Sequence, residues 1–196
     1  MWRRLLPVLL ATTALAGEAH AGFDEGLALY ATGDYTEAFR ELRQAAETGD
    51  ARAEGLLARL YLAGQGVRQD PSEGMQWERK AAEHGIVSAQ VELATRYEYG
   101  VDVPQDPAAA ARWYRAAADH NSPIAQYRLG LLYVDGRGVA QDLVVGHMWL
   151  NLAAAQLPAG DARNAVVRAR DAIGNKLTVE QMRQAQAQAR EWHPTQ

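Results

Sequence analysis

Apolar residues along this chain recur at spacings of three and four, the period of a helix buried along one side. Between residues 50 and 156 one such stripe returns three times. Ala53, Leu57 and Tyr61 mark the first copy, Ala89, Leu93 and Tyr97 the second, and Ala125, Leu129 and Tyr133 the third, each 36 residues after the last. A small residue follows each leucine (Ala58, Ala94, Gly130), where it lets a second helix approach closely. Self-similarity at this period predicts a solenoid of helix pairs, in which each pair buries its apolar face against its neighbours.

The segment GLLYVDGRGVAQD, residues 130–142, bears on function as well as fold. A glycine loop after an apolar run can cradle a phosphate, or it can separate two helices. Its recurrence decides for the second. Gly64, Gly100 and Gly136 stand at equivalent ends of the first helices, where a left-handed residue satisfies the last carbonyls. Gly66 and Gly138 tighten the loop, and Val67, Val103 and Val139 plug it. Asp102 takes the glycine slot of the second copy, a substitution the left-handed region tolerates. Asp70-Pro71 and Asp106-Pro107 then pair an N-cap carboxylate with a proline at the first helical position. Glu73 adds a capping-box partner, and the third copy keeps Asp142 but places Leu143 after it. Trp77, Trp113 and Trp149 recur at one packing position of the second helix, ahead of the pairs Ala81-Ala82, Ala117-Ala118 and Ala153-Ala154.

The flanks read differently. Residues 1–21 carry a short positive start (Arg3, Arg4), an apolar run from Leu5 to Leu15, and Ala19-His20-Ala21 with small residues where signal peptidase reads. The apolar run is too short to span a bilayer, which takes roughly 20 residues. A cleaved export signal is expected, with Gly22 as the mature N-terminus and no stable membrane insertion afterwards. Residues 22–49 keep Tyr30, Gly33 and Ala45-Ala46 but lack five loop residues, so they predict an N-terminal capping repeat. Repeats come next at 50–85, 86–121 and 122–156. Beyond them, residues 157–196 carry two further stripes, Ala162-Val166-Ala169-Ile173 and Val179-Met182-Ala185-Ala189-Trp192. The second opens with Thr178 and Gln181 as a capping box. These predict two capping helices and a frayed end from His193 to Gln196.

Composition narrows the chemistry. Of the 196 residues 48% are hydrophobic and 22% charged, as in a globular protein, and the net charge of −4 argues against nucleic acid as a partner. The chain has no cysteine, so disulfides, thiolate metal sites and cysteine nucleophiles are out. Neither H-E-x-x-H, nor G-x-S-x-G, nor a P-loop lysine motif occurs. His84 and His120 hold equivalent positions, but no third ligand lies near them in sequence, and a helix C-terminus favours a histidine anyway. Cap duty accounts for Asp70, Asp106 and Asp142. No cofactor and no metal is expected.

Taken together, the pattern A-x-x-x-L-[AG]-x-x-Y-x-x-G-x-G-V-x-x-D-x-x-x-x-x-x-W with its Ala-Ala pair resembles the Sel1-like repeat family, relatives of the tetratricopeptide repeats. The resemblance runs from Asp50 to Gln156 and implies an all-α, right-handed α-solenoid of helix-turn-helix repeats. It also implies an adaptor that binds a protein or peptide partner, with roles such as envelope signalling or support of exopolysaccharide assembly. In the related tetratricopeptide arrangement the first helices line a concave groove. Carried onto this chain, the lining residues are Arg52, Arg59, Val91, Thr95, Glu98, Tyr99, Tyr127, Leu131 and Val134. These vary from repeat to repeat where the frame does not. The expected function is a non-catalytic scaffold of a bacterial periplasm. The alternative is an envelope hydrolase acting on peptidoglycan or a β-lactam; within this family β-lactam hydrolysis is linked to cysteine-rich arrays, and this chain has no cysteine.

Residues 1–21 fused to a reporter should carry it to the periplasm, and N-terminal sequencing of the mature protein should begin at Gly22. A cytoplasmic, uncleaved product would remove the export assignment.

Overall fold

A computed structural model describes residues 22–195, so the export segment 1–21 and Gln196 lie outside the described residues. Among the described residues there are ten helices and no strand. They are α1 (22–32), α2 (Tyr35–Glu47), α3 (Ala51–Ala63), α4 (Pro71–Glu83), α5 (Val87–Tyr99), α6 (Pro107–Asp119), α7 (Pro123–Asp135), α8 (Leu143–Gln156), α9 (Asp161–Gly174) and α10 (Val179–Glu191). The fold is all-α and built of helical hairpins, the solenoid class that the repeat predicts. Contacts divide the chain within α5 into two compact units, Met1–Ala89 and Gln90–Gln196.

The hairpin α3–α4 shows how the sequence sets its own geometry. The Asp50 carboxylate accepts from the N–H groups of Arg52 and Ala53, which begins α3. Gly64 ends α3 in the left-handed region. Asp70 then does two things. Its carboxylate accepts from the Glu73 N–H at 3.1 Å, and its own N–H donates to the Tyr61 carbonyl at 3.0 Å. That second bond takes the N–H a capping box would need, so the Glu73 side chain does not complete the expected box. The amide of Gln69 donates to the Leu62 carbonyl at 2.8 Å and satisfies another orphan of the helix end.

Both bonds recur. Asp106 and Asp142 donate to the carbonyls of Tyr97 and Tyr133, and Gln105 and Gln141 donate to those of Glu98 and Val134. Between helices the hairpins need small residues on both sides. A Cβ added to Gly74 would sit 3.1 Å from the Ala58 carbonyl oxygen, and one added to Gly146 the same distance from that of Gly130. The first helix's small residue was legible as a close-contact position; its counterpart on the second helix, Gly74, Ala110 or Gly146, completes the contact.

In the first unit α3 packs on α2 and α4. Phe23, Ala38, Leu42, Ala45, Ala53, Leu57 and Leu60 form its core, with Tyr30, Tyr35, Phe39, Tyr61 and Trp77 partly buried around them. Burying one such leucine is worth about 1.5–3 kcal/mol. In the second unit α7 packs on α6 and α8, α9 packs on α8, and α10 returns to α8. Leu150, Ala153, Ala154, Val166 and Ile173 form a core there.

The three tryptophans are less alike than the repeat suggests. Trp149 is fully buried, whereas Trp77 and Trp113 are half-buried, and Tyr114 beside Trp113 is the fully buried ring. Trp149 is sealed from two sides: Trp192, at the end of α10, meets it edge-on at 5.8 Å, and the Arg115 guanidinium lies 4.9 Å from its ring centroid. On Trp77 the Lys80 ammonium sits at 3.8 Å and keeps one face near water.

The predicted stripes of the capping helices are buried only in part. Val166, Ile173 and Ala185 are buried, but Ala162 is exposed and Val179 is 77% exposed, because each starts its helix beyond the reach of α8. The chain end is also more ordered than expected. Thr195 donates its N–H to the Asp119 carbonyl at 2.8 Å and its hydroxyl to the same oxygen at 3.1 Å, capping the end of α6. His147 is buried next to α9, and burial, aided by the nearby Arg170 cation, holds its pKa below the ordinary value against the pull of Asp171. It is a neutral core residue.

Two glycines separate strain from collision. Gly138 has φ +71° and its loop lies on the start of α6, so a Cβ there would sit 2.1 Å from the Pro107 carbonyl oxygen. Gly85 has φ +86° with nothing within 4 Å. Gly85→Ala should cost about 1–2 kcal/mol from the left-handed backbone alone. Gly138→Ala adds overpacking and should cost roughly 3 kcal/mol or more. Urea unfolding of the two variants checks this, and equal losses would mean the loop is not seated on α6.

Candidate functional site

In the first unit the variable face of α3 carries two cations. Arg52 is exposed, paired with Asp50 at 2.7 Å, and its guanidinium lies 4.0 Å above the Phe23 ring. That contact ties α3 to α1 and holds the side chain in place. Arg59 is exposed two turns further along α3.

In the second unit the face belongs to α5 and α7. Val91 and Thr95 are half-buried, and the Thr95 hydroxyl donates to the Val91 carbonyl at 2.8 Å. The same hydroxyl lies 3.0 Å from the Tyr114 phenol, which donates to Glu98 Oε2 at 2.9 Å. The other oxygen of Glu98 accepts from Arg137 at 2.8 Å. Burial pushes the Tyr114 phenol far above the ordinary range, and the Glu98 carboxylate beside it pushes the same way, against the Thr95 hydrogen bond. Tyr114 is therefore a fixed neutral donor.

Glu98 itself is only 5% exposed. Its expected place on an open lining is corrected: it is an internal anchor, turned inward because Tyr114 and Arg137 consume both of its oxygens. Tyr99, the next residue, is 53% exposed, and its phenol oxygen accepts from Arg128 at 2.7 Å.

Tyr127, Leu131 and Val134 are half-buried and pack against the cluster formed by α8 and α9. Part of each is therefore spent on the core that joins α8 to α9. Apart from Asp135 at its end, what stays open on α7 is Ile124, 58% exposed, with Arg128 one turn along the same face. Arg128 was missed by reading the groove through apolar and repeat-aligned positions. Its signal was a lone cation in an otherwise apolar stretch, YRLGLLYV, residues 127–134.

The histidines at the second-helix ends have separate duties. His84 Nδ1 lies 2.7 Å from the buried carboxylate of Glu54, and His120 Nδ1 lies 3.4 Å from the Thr195 hydroxyl. Among the described residues no group of three or more His, Asp or Glu side chains is placed to hold a metal ion.

Such a frame, with fixed hairpins and a face that differs at each step, defines a helical-repeat protein. The chain belongs to the Sel1 repeat family, whose sequence profile matches residues 51–86, 87–122 and 123–156. Repeats of this kind generally serve as protein-interaction scaffolds. Among solved structures, a Sel1 repeat protein from Oxalobacter formigenes is 37% identical, with 66% of this chain and 96% of that one covered and a TM-score of 0.62. The protein c5321, a protective antigen of uropathogenic Escherichia coli strains displaying an SLR fold, is 34% identical with a TM-score of 0.67. That match covers 79% of this chain but 34% of c5321, so this chain spans about a third of the antigen's length. No curated protein matches by sequence.

Neighbouring residues Glu98 and Tyr99 should respond unequally to truncation. Glu98→Ala removes an acceptor of the buried Tyr114 phenol together with the partner of Arg137, and should cost about 1–3 kcal/mol of stability. Tyr99→Ala, at an exposed position, should cost less than about 1 kcal/mol. Thermal and urea unfolding of both variants would show it; a larger loss at Tyr99 would put that ring in the core.

Proposed function

We propose that this protein is a non-catalytic scaffold, exported to a bacterial periplasm, that captures a peptide or helical segment of a partner protein on the first-helix faces of its repeats. The observation that carries the reading is the contrast between two sets of residues on the same helices. Ala53, Ala89 and Ala125 with Leu57, Leu93 and Leu129 are spent on packing and are identical in every repeat. The positions beside them change from Arg52 to Ser88 to Ile124, and from Ala63 to Tyr99 to Asp135. Packing cannot explain the choice at these sites, since Tyr99 and Ile124 leave more than half of their surface in water. A large exposed aromatic beside an apolar side chain and a cation is the kind of group that anchors an interface.

Scaffold duty also suits the mechanics. Each hairpin holds its own first-helix face in place, so a partner segment docking there loses little more than its own freedom. Export rests on the sequence of residues 1–21 alone.

The test is capture from periplasmic extract on immobilised mature protein, run beside a β-lactam and peptidoglycan turnover assay. The expected result is a specific partner retained by the wild type and weakened at least about 10-fold by Tyr99→Ala, with no turnover. Turnover that survives purification, with no partner retained, would favour an envelope hydrolase instead.

A further inference from the structure

On the second unit's open face Arg128 presents a guanidinium whose hydrogen-bonding capacity is mostly unspent. Its Nη1 donates to the Tyr99 phenol, and its guanidinium carbon lies 5.8 Å from the Tyr99 ring centroid. No ion pair and no further hydrogen bond joins Arg128 to the described residues, so Nε and Nη2 keep their donors for something else. The carboxylate best placed to neutralise it, that of Glu98, is already committed: one oxygen to Arg137, the other to Tyr114. The other cation of α5 in this region, Arg96, is paired with Asp102 at 2.6 Å. The single acid on α7 is Asp135, two turns further along.

Along α7 the flanks of the guanidinium are apolar, while Tyr99, Tyr114 and Glu98 act on it from α5 and α6. Ile124 stands one turn before it and is 58% exposed, while Tyr127 and Leu131 flank it half-buried. Tyr99 holds the fork at one corner and so fixes which way the remaining donors point. Half-buried, apolar on its flanks and pre-oriented, this guanidinium meets the conditions under which a fork of donors pairs strongly with a planar carboxylate.

We propose that Arg128, positioned by Tyr99, binds the side-chain carboxylate of an aspartate or glutamate in the partner peptide, with an apolar residue next to that acid seated on Ile124. This rests on the scaffold reading above and specifies the chemistry of what the face takes: an acidic segment with an apolar neighbour. The nearby Glu98 carboxylate favours the charged form of Arg128, but both of its oxygens are taken by Arg137 and Tyr114, so it leaves the fork itself open. A peptide with a basic residue at this point would meet an unpaired guanidinium instead of a partner, which gives the face a sign.

The experiment uses the mature protein and two synthetic peptides blocked at both ends, one alternating Glu and Leu, the other alternating Gln and Leu. Binding is read from the side-chain Nε–Hε resonance of Arg128 and the methyl resonances of Ile124. The glutamate peptide should shift both saturably, and the glutamine peptide should bind at least about 10-fold more weakly. Arg128→Gln should lose a similar factor, and Arg128→Lys should recover only part, since an ammonium keeps the charge but not the fork. Arg168→Gln, an exposed cation of α9, should bind as the wild type does. Should Arg128→Gln fail to fold, Tyr99→Phe removes the hydroxyl that aims the fork and should weaken the glutamate peptide several-fold.

Equal binding of the two peptides would overturn the proposal, as would unchanged binding by Arg128→Gln, or binding that appears only when the peptide's C-terminal carboxylate is left unblocked. The two readings separate cleanly. A natural partner lost by Tyr99→Ala but retained by Arg128→Gln leaves the scaffold standing and removes the carboxylate site. Specific binding of the glutamate peptide at Arg128, in a protein that captures no partner, leaves the site and removes the scaffold.

Discussion

Each repeat depends on one backbone hydrogen bond. The N–H of the aspartate that begins the second helix donates to the carbonyl of the tyrosine near the end of the first, at Asp70–Tyr61, Asp106–Tyr97 and Asp142–Tyr133. It closes a loop whose length is thereby fixed, and it satisfies a donor and an acceptor that would otherwise be stranded at two helix ends. The same aspartate's carboxylate then caps the second helix, so one residue sets both where the loop stops and where the helix starts. Once these are fixed, the two helices are in phase for their small residues to meet, Ala58 with Gly74 and Gly130 with Gly146. A loop one residue longer would rotate the second helix by about 100° and put side chains where backbone now meets backbone.

Inside this constant frame the hairpins fill one equivalent space differently. In α7–α8 it holds Val134 and Leu150, both apolar. In α5–α6 the same two positions are Glu98 and Tyr114, joined to Thr95 and Arg137. A buried carboxylate is costly unless its oxygens are satisfied, and here both are. The polar solution has a consequence at the surface that the apolar one lacks. It draws Arg137 into an internal pairing and fills both oxygens of Glu98, so that Arg128 stands beside Tyr99 with no direct ion pair of its own. Core chemistry in one hairpin thus sets the electrostatics of the face above it.

Much of this was legible. The stripe residues, the left-handed glycines, the capping aspartates and the Thr178–Gln181 box sit where their spacing and chemistry placed them. The recurrent glutamines Gln69, Gln105 and Gln141 were equally visible in the repeat, but a surface-type residue in a loop gives no hint that its amide seals a helix end. The face was harder. Counting outward from the stripe put Glu98 in the open and treated Tyr127, Leu131 and Val134 as free surface. Helical phase alone is a statement about one helix, and these four residues are decided by their neighbours.

What the sequence determined by itself is everything local: helix starts and stops, loop closure, the small-residue contact and hence the repeat class. Those depend on bonds between residues close in the chain, and they recur because the residues recur. What only the tertiary structure decided is the fate of side chains on shared faces. Trp149 is sealed and Trp113 is not because α10 returns to cover α8, a contact between residues 43 positions apart in the case of Trp149 and Trp192. Arg137 turns to Glu98 across 39 positions, and Arg128 to Tyr99 across 29. Repeat periodicity makes equivalent positions look alike, while burial and charge depend on which neighbour the chain has already spent.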